Sequence, residues 1–252
     1  MIDQNTGAII VGCLLILLTT LAYFVLTAKK SATTSKTKEP AVFITGPSKS
    51  GKTALFTLLT TGEVRNTVTS QDTNIKKNYE SRVNLIDFPG HVKLHYKLMD
   101  ALRETEHIKG ILFVVDATID PKKLSETAEF LLEILTITEV SKEPIDILIA
   151  CNKSESFTAR PPAKIVEALE KEVGLTIERH NKSLGEVKKR ADFNVGGDDE
   201  SDDENAGFLE NFNGNTKFKF SMLEGEVEYM KGSVTKKDIG NWEEWLDGKV
   251  SA

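Results

Sequence analysis

Gly46-Pro47-Ser48-Lys49-Ser50-Gly51-Lys52-Thr53 is the stretch on which the fold of this chain turns. It fits the spacing G-x-x-x-x-G-K-[ST], a loop that wraps phosphate groups. The residues just before it, AVFIT at 41–45, form a short apolar run that predicts a buried strand, and 52–61 predict a helix opening behind the turn. Strand, glycine-bearing turn and helix in that order separate this match from a chance occurrence. The end glycines Gly46 and Gly51 permit the tight turn and close backbone approach. Amides of the loop and first helical turn, from Gly46 through Ser48, Lys49 and Ser50 to Ala54, then converge with the positive helix end on an anion. Lys52 is placed for β- and γ-phosphates, and the Thr53 hydroxyl for Mg²⁺.

Outward from this loop the chain alternates strand and helix patterns. Residues 82–87 (RVNLID), 110–116 (GILFVVD) and 145–151 (IDILIAC) read as strands. Between the last two, Leu124, Ala128, Leu131, Leu132 and Leu135 recur at helical spacing, predicting a core-facing helix over 124–140. A further helix is expected over 163–172, behind Pro161 and Pro162. Residues 217–221 (KFKFS) alternate like a last strand, and Ile239, Trp242, Trp245 and Leu246 share one helical face that reads as core packing. Such alternation predicts an α/β fold of the P-loop NTPase kind, a mostly parallel sheet with helices on both faces.

Two more tetrapeptides stand at the C-terminal ends of expected strands. Asp87-Phe88-Pro89-Gly90 fits D-x-x-G: Asp87 can hold Mg²⁺ through water, and the Gly90 amide can meet a γ-phosphate. Asn152-Lys153-Ser154-Glu155 stands where guanine-specific proteins carry N-K-x-D. Each is weak alone; together with the phosphate loop they converge on one crevice at the strand ends.

With these three elements in place, residues 41–252 resemble the Ras-like GTPases, Arf and Sar most nearly, and more narrowly the beta-subunit family of the signal recognition particle receptor. The resemblance implies GTP and GDP as ligands with Mg²⁺. It implies that Asn152 reads the base edge, that Lys153 stacks over the ring, and that Glu155 accepts from the base in place of Asp. The extra methylene of Glu155 moves its carboxylate by about 1.5 Å. TVTSQDTN at 67–74 occupies the first switch, with Thr69 the candidate threonine on Mg²⁺ and Thr67 and Thr73 its rivals. Ser221, in FSMLEG, resembles the last nucleotide-contacting loop, although Met222 and Leu223 depart from the usual S-A-K form. His91 follows Gly90 where Ras-like proteins carry glutamine. It could orient the attacking water, as in the translational GTPases that this D-x-P-G-H stretch resembles, or be a surface histidine of the switch. No arginine other than Arg65 is placed to serve in cis, so slow, partner-dependent hydrolysis is expected.

The N-terminus adds a membrane element. Residues 8–27, AIIVGCLLILLTTLAYFVLT, carry no charge, and about 20 helical residues cover a hydrocarbon core of roughly 30 Å. A cleavable signal peptide would want a basic start, yet residues 1–7 carry only Asp3 as a charged side chain. Lys29, Lys30, Lys36 and Lys38 follow instead, which predicts a single transmembrane helix with residues 1–7 translocated and the remainder cytosolic. Residues 28–40 read as a polar linker and 41–252 as the GTPase domain, carrying an acidic, solvated insertion at 196–207 (GGDDESDDENAG). A net charge of −6 disfavours nonspecific nucleic-acid binding. Cys13 and Cys151 are expected in different phases, so no mutual disulfide is expected.

The family resemblance further implies a heterodimer with the receptor's alpha subunit at the endoplasmic reticulum membrane, with the ribosome or translocon as candidate partners. An Arf-like vesicle-transport GTPase is the alternative. The fixed transmembrane helix argues against nucleotide-controlled membrane release. A structural anchor with a vestigial site is a third reading, opposed by the complete phosphate loop.

Overall fold

The computed structural model describes residues 17, 19, 20, 39–80, 82–120, 123–191 and 217–251. Met1–Lys36 and Thr37–Ala252 separate as two compact units. Of the expected span 8–27, only Leu17, Thr19 and Thr20 are among the described residues; the linker up to residue 38 and the acidic stretch 196–207 lie outside them. Among the described residues no helix is long and apolar enough to cross a membrane.

The second unit is built on a six-stranded sheet. Strands β1 (Ala41–Thr45), β3 (Val83–Asp87), β4 (Ile108–Asp116) and β5 (Ile147–Asn152) form its centre. They pair in parallel, with Phe43 beside Ile86 on one side and Ile111 on the other. β2 (Asn74–Tyr79) closes one edge antiparallel to β3, and β6 (Val227–Lys231) closes the other parallel to β5. The order β2-β3-β1-β4-β5-β6 leaves β1 central, with its C-terminal end opening into the phosphate loop.

Strands covered on both faces need apolar residues at every position, which is why AVFIT and ILIACN read as continuous runs. Val42 and Ile44 join one layer with Leu55 and Leu58 of α1 (Lys52–Thr61) and Trp242, Trp245 and Leu246 of α5 (Gly240–Ser251). Phe43 joins the opposite layer with residues of α2 (His95–Glu104), α3 (Leu124–Thr138) and α4 (Pro162–Ala191). The expected doubly covered, mostly parallel sheet is what the structure contains.

Two local expectations require correction. Residues 217–221 are not a strand. Phe218 and Phe220 are both buried, in edge-to-face contact at 5.4 Å, and Phe220–Met222 form a 3-10 turn. Two core aromatics spaced by one residue imitate strand alternation here. The last strand is β6, whose half-exposed edge carries little apolar signal. The helix expected over 163–172 runs the 30 residues of α4, because Ile165, Leu169, Val173 and Ile177 continue its buried stripe past Gly174.

Candidate functional site

The sequence motifs meet at the C-terminal edge of β1, β3, β4 and β5. In the loop after β1 the backbone takes turns that side chains resist. Gly46 has φ 137° and Gly51 has φ 98°, and Lys49 adopts the left-handed region at φ 65°. A Cβ on Gly46 would lie 2.2 Å from the Val114 carbonyl oxygen, and one on Gly51 would lie 2.3 Å from Asn152 Nδ2. Both glycines therefore serve packing as well as turning. Gly51 caps α1 without a side-chain acceptor, so the first amides of that helix are left for an external anion.

Lys52 is buried and donates to the Pro47 carbonyl at 2.7 Å. Burial pushes its pKa down to about 8, against the opposing pull of Asp87. Gly90 lies directly against this group: a Cβ there would be 2.3 Å from Lys52 Nζ and 2.5 Å from the Gly46 carbonyl oxygen. A cavity of about 230 Å³ opens between three walls: Ser48 to Thr53 (Ser50 excepted), Thr67 to Ser70, and Phe88 to Gly90.

At its base the Thr53 hydroxyl donates to Asp87 Oδ2 at 2.8 Å and meets the Ser70 hydroxyl at 2.9 Å. Asn74 Nδ2 donates to the same Asp87 oxygen at 2.9 Å. Asp87 Oδ1 is buried with no protein partner. Burial raises the Asp87 pKa, opposed by the bonds from Asn74 and Thr53 and by the charge of Lys52. A buried carboxylate oxygen without a donor, beside a threonine hydroxyl, fits a hydrated Mg²⁺ held jointly with phosphate oxygens. Among the described residues no group of three or more His, Cys, Asp and Glu could hold a metal on its own.

The other half of the crevice is built around Asn152 and Lys153. Asn152 Nδ2 donates to the Ser50 carbonyl at 2.8 Å, and its Oδ1 accepts from the Val234 amide at 3.1 Å. It thereby ties the phosphate loop to the turn that follows β6. Lys153 sits at φ 64°; its ammonium donates to the Lys49 carbonyl at 3.0 Å and pairs with Asp116. Glu155 is exposed on the turn behind it.

Ser221 falls elsewhere, and two other expected positions differ in detail. Ser221 lies in the turn before β6, at the opposite end of that strand from Asn152; Gly232, Ser233 and Val234, after β6, take the place expected of it. Thr69 lines the cavity, yet the hydroxyl beside Thr53 belongs to Ser70. His91 is exposed and accepts from the Lys93 amide at 3.2 Å, capping its own 3-10 turn (Val92–Leu94). Sequence reading also passed over Asn74 and Asp116. Asp116 carried a signal, a carboxylate closing the apolar run GILFVVD; Asn74 sits on a polar edge strand with none.

A protein-family model described as the signal recognition particle receptor beta subunit matches residues 37–227. The chain belongs to this family. It is 48% identical over 250 residues to the Saccharomyces cerevisiae signal recognition particle receptor subunit beta, covering 97% of this chain and 99% of that one. Two solved family structures from Chaetomium thermophilum superpose on it. The SRb-GTP/SRX complex gives a TM-score of 0.62 at 26% identity, covering 83% of this chain and 98% of that chain. SRb-GDP-Mg gives 0.59 at 27% identity, covering 84% and 98%. Nucleotide and Mg²⁺ binding is thus a property found within the family.

Proposed function

We propose that this chain is the membrane-anchored, guanine-nucleotide-binding switch subunit of a signal recognition particle receptor. The single observation that carries the nucleotide reading is the joined arrangement of Lys52, Thr53 and Asp87 with Gly90 packed against the lysine. In this reading the loop amides and Lys52 hold the phosphates. Thr53 and the Asp87 carboxylate hold Mg²⁺, which neutralises phosphate charge, and Ser70 or Thr69 supplies the switch hydroxyl. Asn152 and Lys153 embrace the base, with Glu155 as the acceptor beside them. The family match supports this over an Arf-like vesicle-transport role.

The relative solved as SRb-GTP/SRX supports an alpha-subunit partner docking on the switch segments 67–74 and 88–92, whose Val68 and Val92 are 87% and 73% exposed. Residues 8–27 would fix the protein in the endoplasmic reticulum membrane, with 1–7 lumenal, 28–40 a tether and 41–252 cytosolic. The ribosome or translocon would be met there. Hydrolysis is slow without a partner, because His91 turns to its own backbone and Arg65 pairs with Glu63.

The test is titration of the full chain in detergent with fluorescent GTP, GDP and ATP in Mg²⁺, with Lys52→Ala as control. Guanine binding that depends on Lys52 and excludes ATP is expected. Equal ATP binding, or none of either, removes the switch reading and leaves the anchor.

A further inference from the structure

Lys153 is held more tightly than a half-exposed lysine ordinarily is. Its ammonium has two anchors, the Lys49 carbonyl in the phosphate loop and the Asp116 carboxylate at the end of β4. Asp116 is itself held: its other oxygen, Oδ1, accepts from the Thr118 amide at 2.9 Å and the Thr118 hydroxyl at 2.7 Å. The loop carrying Thr118 is fastened in turn, since the Arg160 amide donates to Ala117 and its guanidinium donates to the Ile119 carbonyl at 2.7 Å. This chain of contacts runs from α4's leading segment to the tip of Lys153. Its backbone is also committed, at φ 64°, a conformation that costs a non-glycine residue about 1–2 kcal/mol and is retained where the side chain's direction matters.

Stability alone does not account for the pair. The two side chains are 36% and 22% exposed, and ion pairs at such positions contribute little, about 0–1 kcal/mol. What the pair does accomplish is conformational. A lysine stem carries much rotamer freedom, and fixing both ends of it before a ligand arrives removes that ordering cost from binding.

We propose that Asp116 is a positioning residue of the base subsite: by anchoring the ammonium, it stretches the Lys153 stem into a preformed wall against which the guanine ring lies. The proposal rests on the guanine-nucleotide reading above and adds a residue outside the three sequence motifs. Asp116 touches neither base nor phosphate and acts only through Lys153. Its removal therefore weakens base recognition while leaving the phosphate half intact.

The experiment is stopped-flow dissociation of fluorescent GDP from the full chain in detergent, in Mg²⁺, for wild type, Asp116→Asn, Lys153→Met and the double variant, with the fold-loss of GDP affinity on chelating Mg²⁺ as the readout of the phosphate half. Asp116→Asn is expected to release GDP about tenfold faster, the equivalent of one lost positioning contact, with the Mg²⁺ effect unchanged. In the Lys153→Met background the same substitution is expected to add less than twofold, the non-additivity of residues that act as a unit. A purely structural role would instead diminish the Mg²⁺ effect as well and lower the melting temperature in either background. If Asp116→Asn fails to fold, Thr118→Val, which removes one donor to Asp116, is read the same way with a smaller increase in GDP release. Unchanged GDP release in a wild-type-like binder overturns the inference alone. Absence of guanine binding by the wild type removes the underlying reading and the inference with it.

Discussion

The hydroxyl of Thr53, in the first turn of α1, and the carboxylate of Asp87, the last residue of β3, are joined at 2.8 Å across 34 positions of sequence. The parallel pairing of β1 with β3 brings them together, placing Ile44 beside Asp87 just before the phosphate loop. Asn74 satisfies Asp87 Oδ2 from the other side, so Oδ1 is the oxygen left over.

That geometry predicts a metal-specific defect. Asp87→Asn keeps the shape and can still accept from Thr53, but removes the charge a divalent ion needs. Wild-type GDP affinity should fall on chelation of Mg²⁺, and the variant should lose most of that difference, about 10–100-fold by analogy with groups around metal sites. The readout is GDP affinity with and without chelator; an undiminished Mg²⁺ effect in Asp87→Asn would sink the assignment.

Gly90→Ala tests the close approach of the second motif to the first. The added methyl must displace Lys52 Nζ or the Gly46 carbonyl, both within 2.5 Å of where it would sit. Overpacking of this kind costs about 1–3 kcal/mol, here borne by the phosphate loop. GDP and GTP affinity are expected to drop by roughly tenfold or more with an unchanged circular dichroism spectrum. Wild-type affinity in this variant would mean the loop has slack that the structure does not show.

The parts legible in sequence were those where one residue type is dictated by local physics. Strands buried on both faces must be apolar throughout, so AVFIT and IDILIAC declared themselves, and the phosphate loop fixes glycines and a lysine at set spacing. The parts that were not legible depend on partners distant in the chain. β2 is a polar edge strand with only Tyr79 buried. Phe218 and Phe220 suggested a strand because both fill the layer beside α4 rather than one face of a sheet. Spacing along TVTSQDTN favours Thr69, whereas it is the path of the loop that brings the neighbouring Ser70 hydroxyl to Thr53.

Cys151, buried in β5 beside the base motif, gives a pH dependence of stated sign. Burial pushes its thiol up to about 12, whereas an unfolded thiol ionises near 8.5. Between those values the unfolded chain has released a proton that the folded chain retains, so this group's contribution to stability is lost as pH rises through the window. The slope approaches about 1.4 kcal/mol per pH unit. Urea denaturation of wild type and Cys151→Ala at pH 8, 9 and 10 should show the variant gaining on the wild type as pH rises, whatever its offset at pH 8. Parallel stability curves would show that the thiol ionises freely in the folded state.

Ser221 and Asn152 should behave in opposite ways, although both were expected at the nucleotide. Ser221 is exposed in the turn ahead of β6, so Ser221→Ala is expected to leave GDP affinity within about twofold, as surface changes away from special features usually do. Asn152 is buried and closes two bonds at once, to the Ser50 carbonyl and from the Val234 amide. Asn152→Ala leaves both groups unpaired next to the phosphate loop, at about 1–3 kcal/mol each. The melting temperature should fall by several degrees, and guanine binding should weaken beyond what lost stability explains, since the loop after β6 is no longer tied to the base subsite. The comparison is made on one preparation, by thermal melting and GDP titration of both variants. A large loss in Ser221→Ala would return the turn at 220–222 to the site, and a mild Asn152→Ala would show that the strand ends hold the two loops together without it.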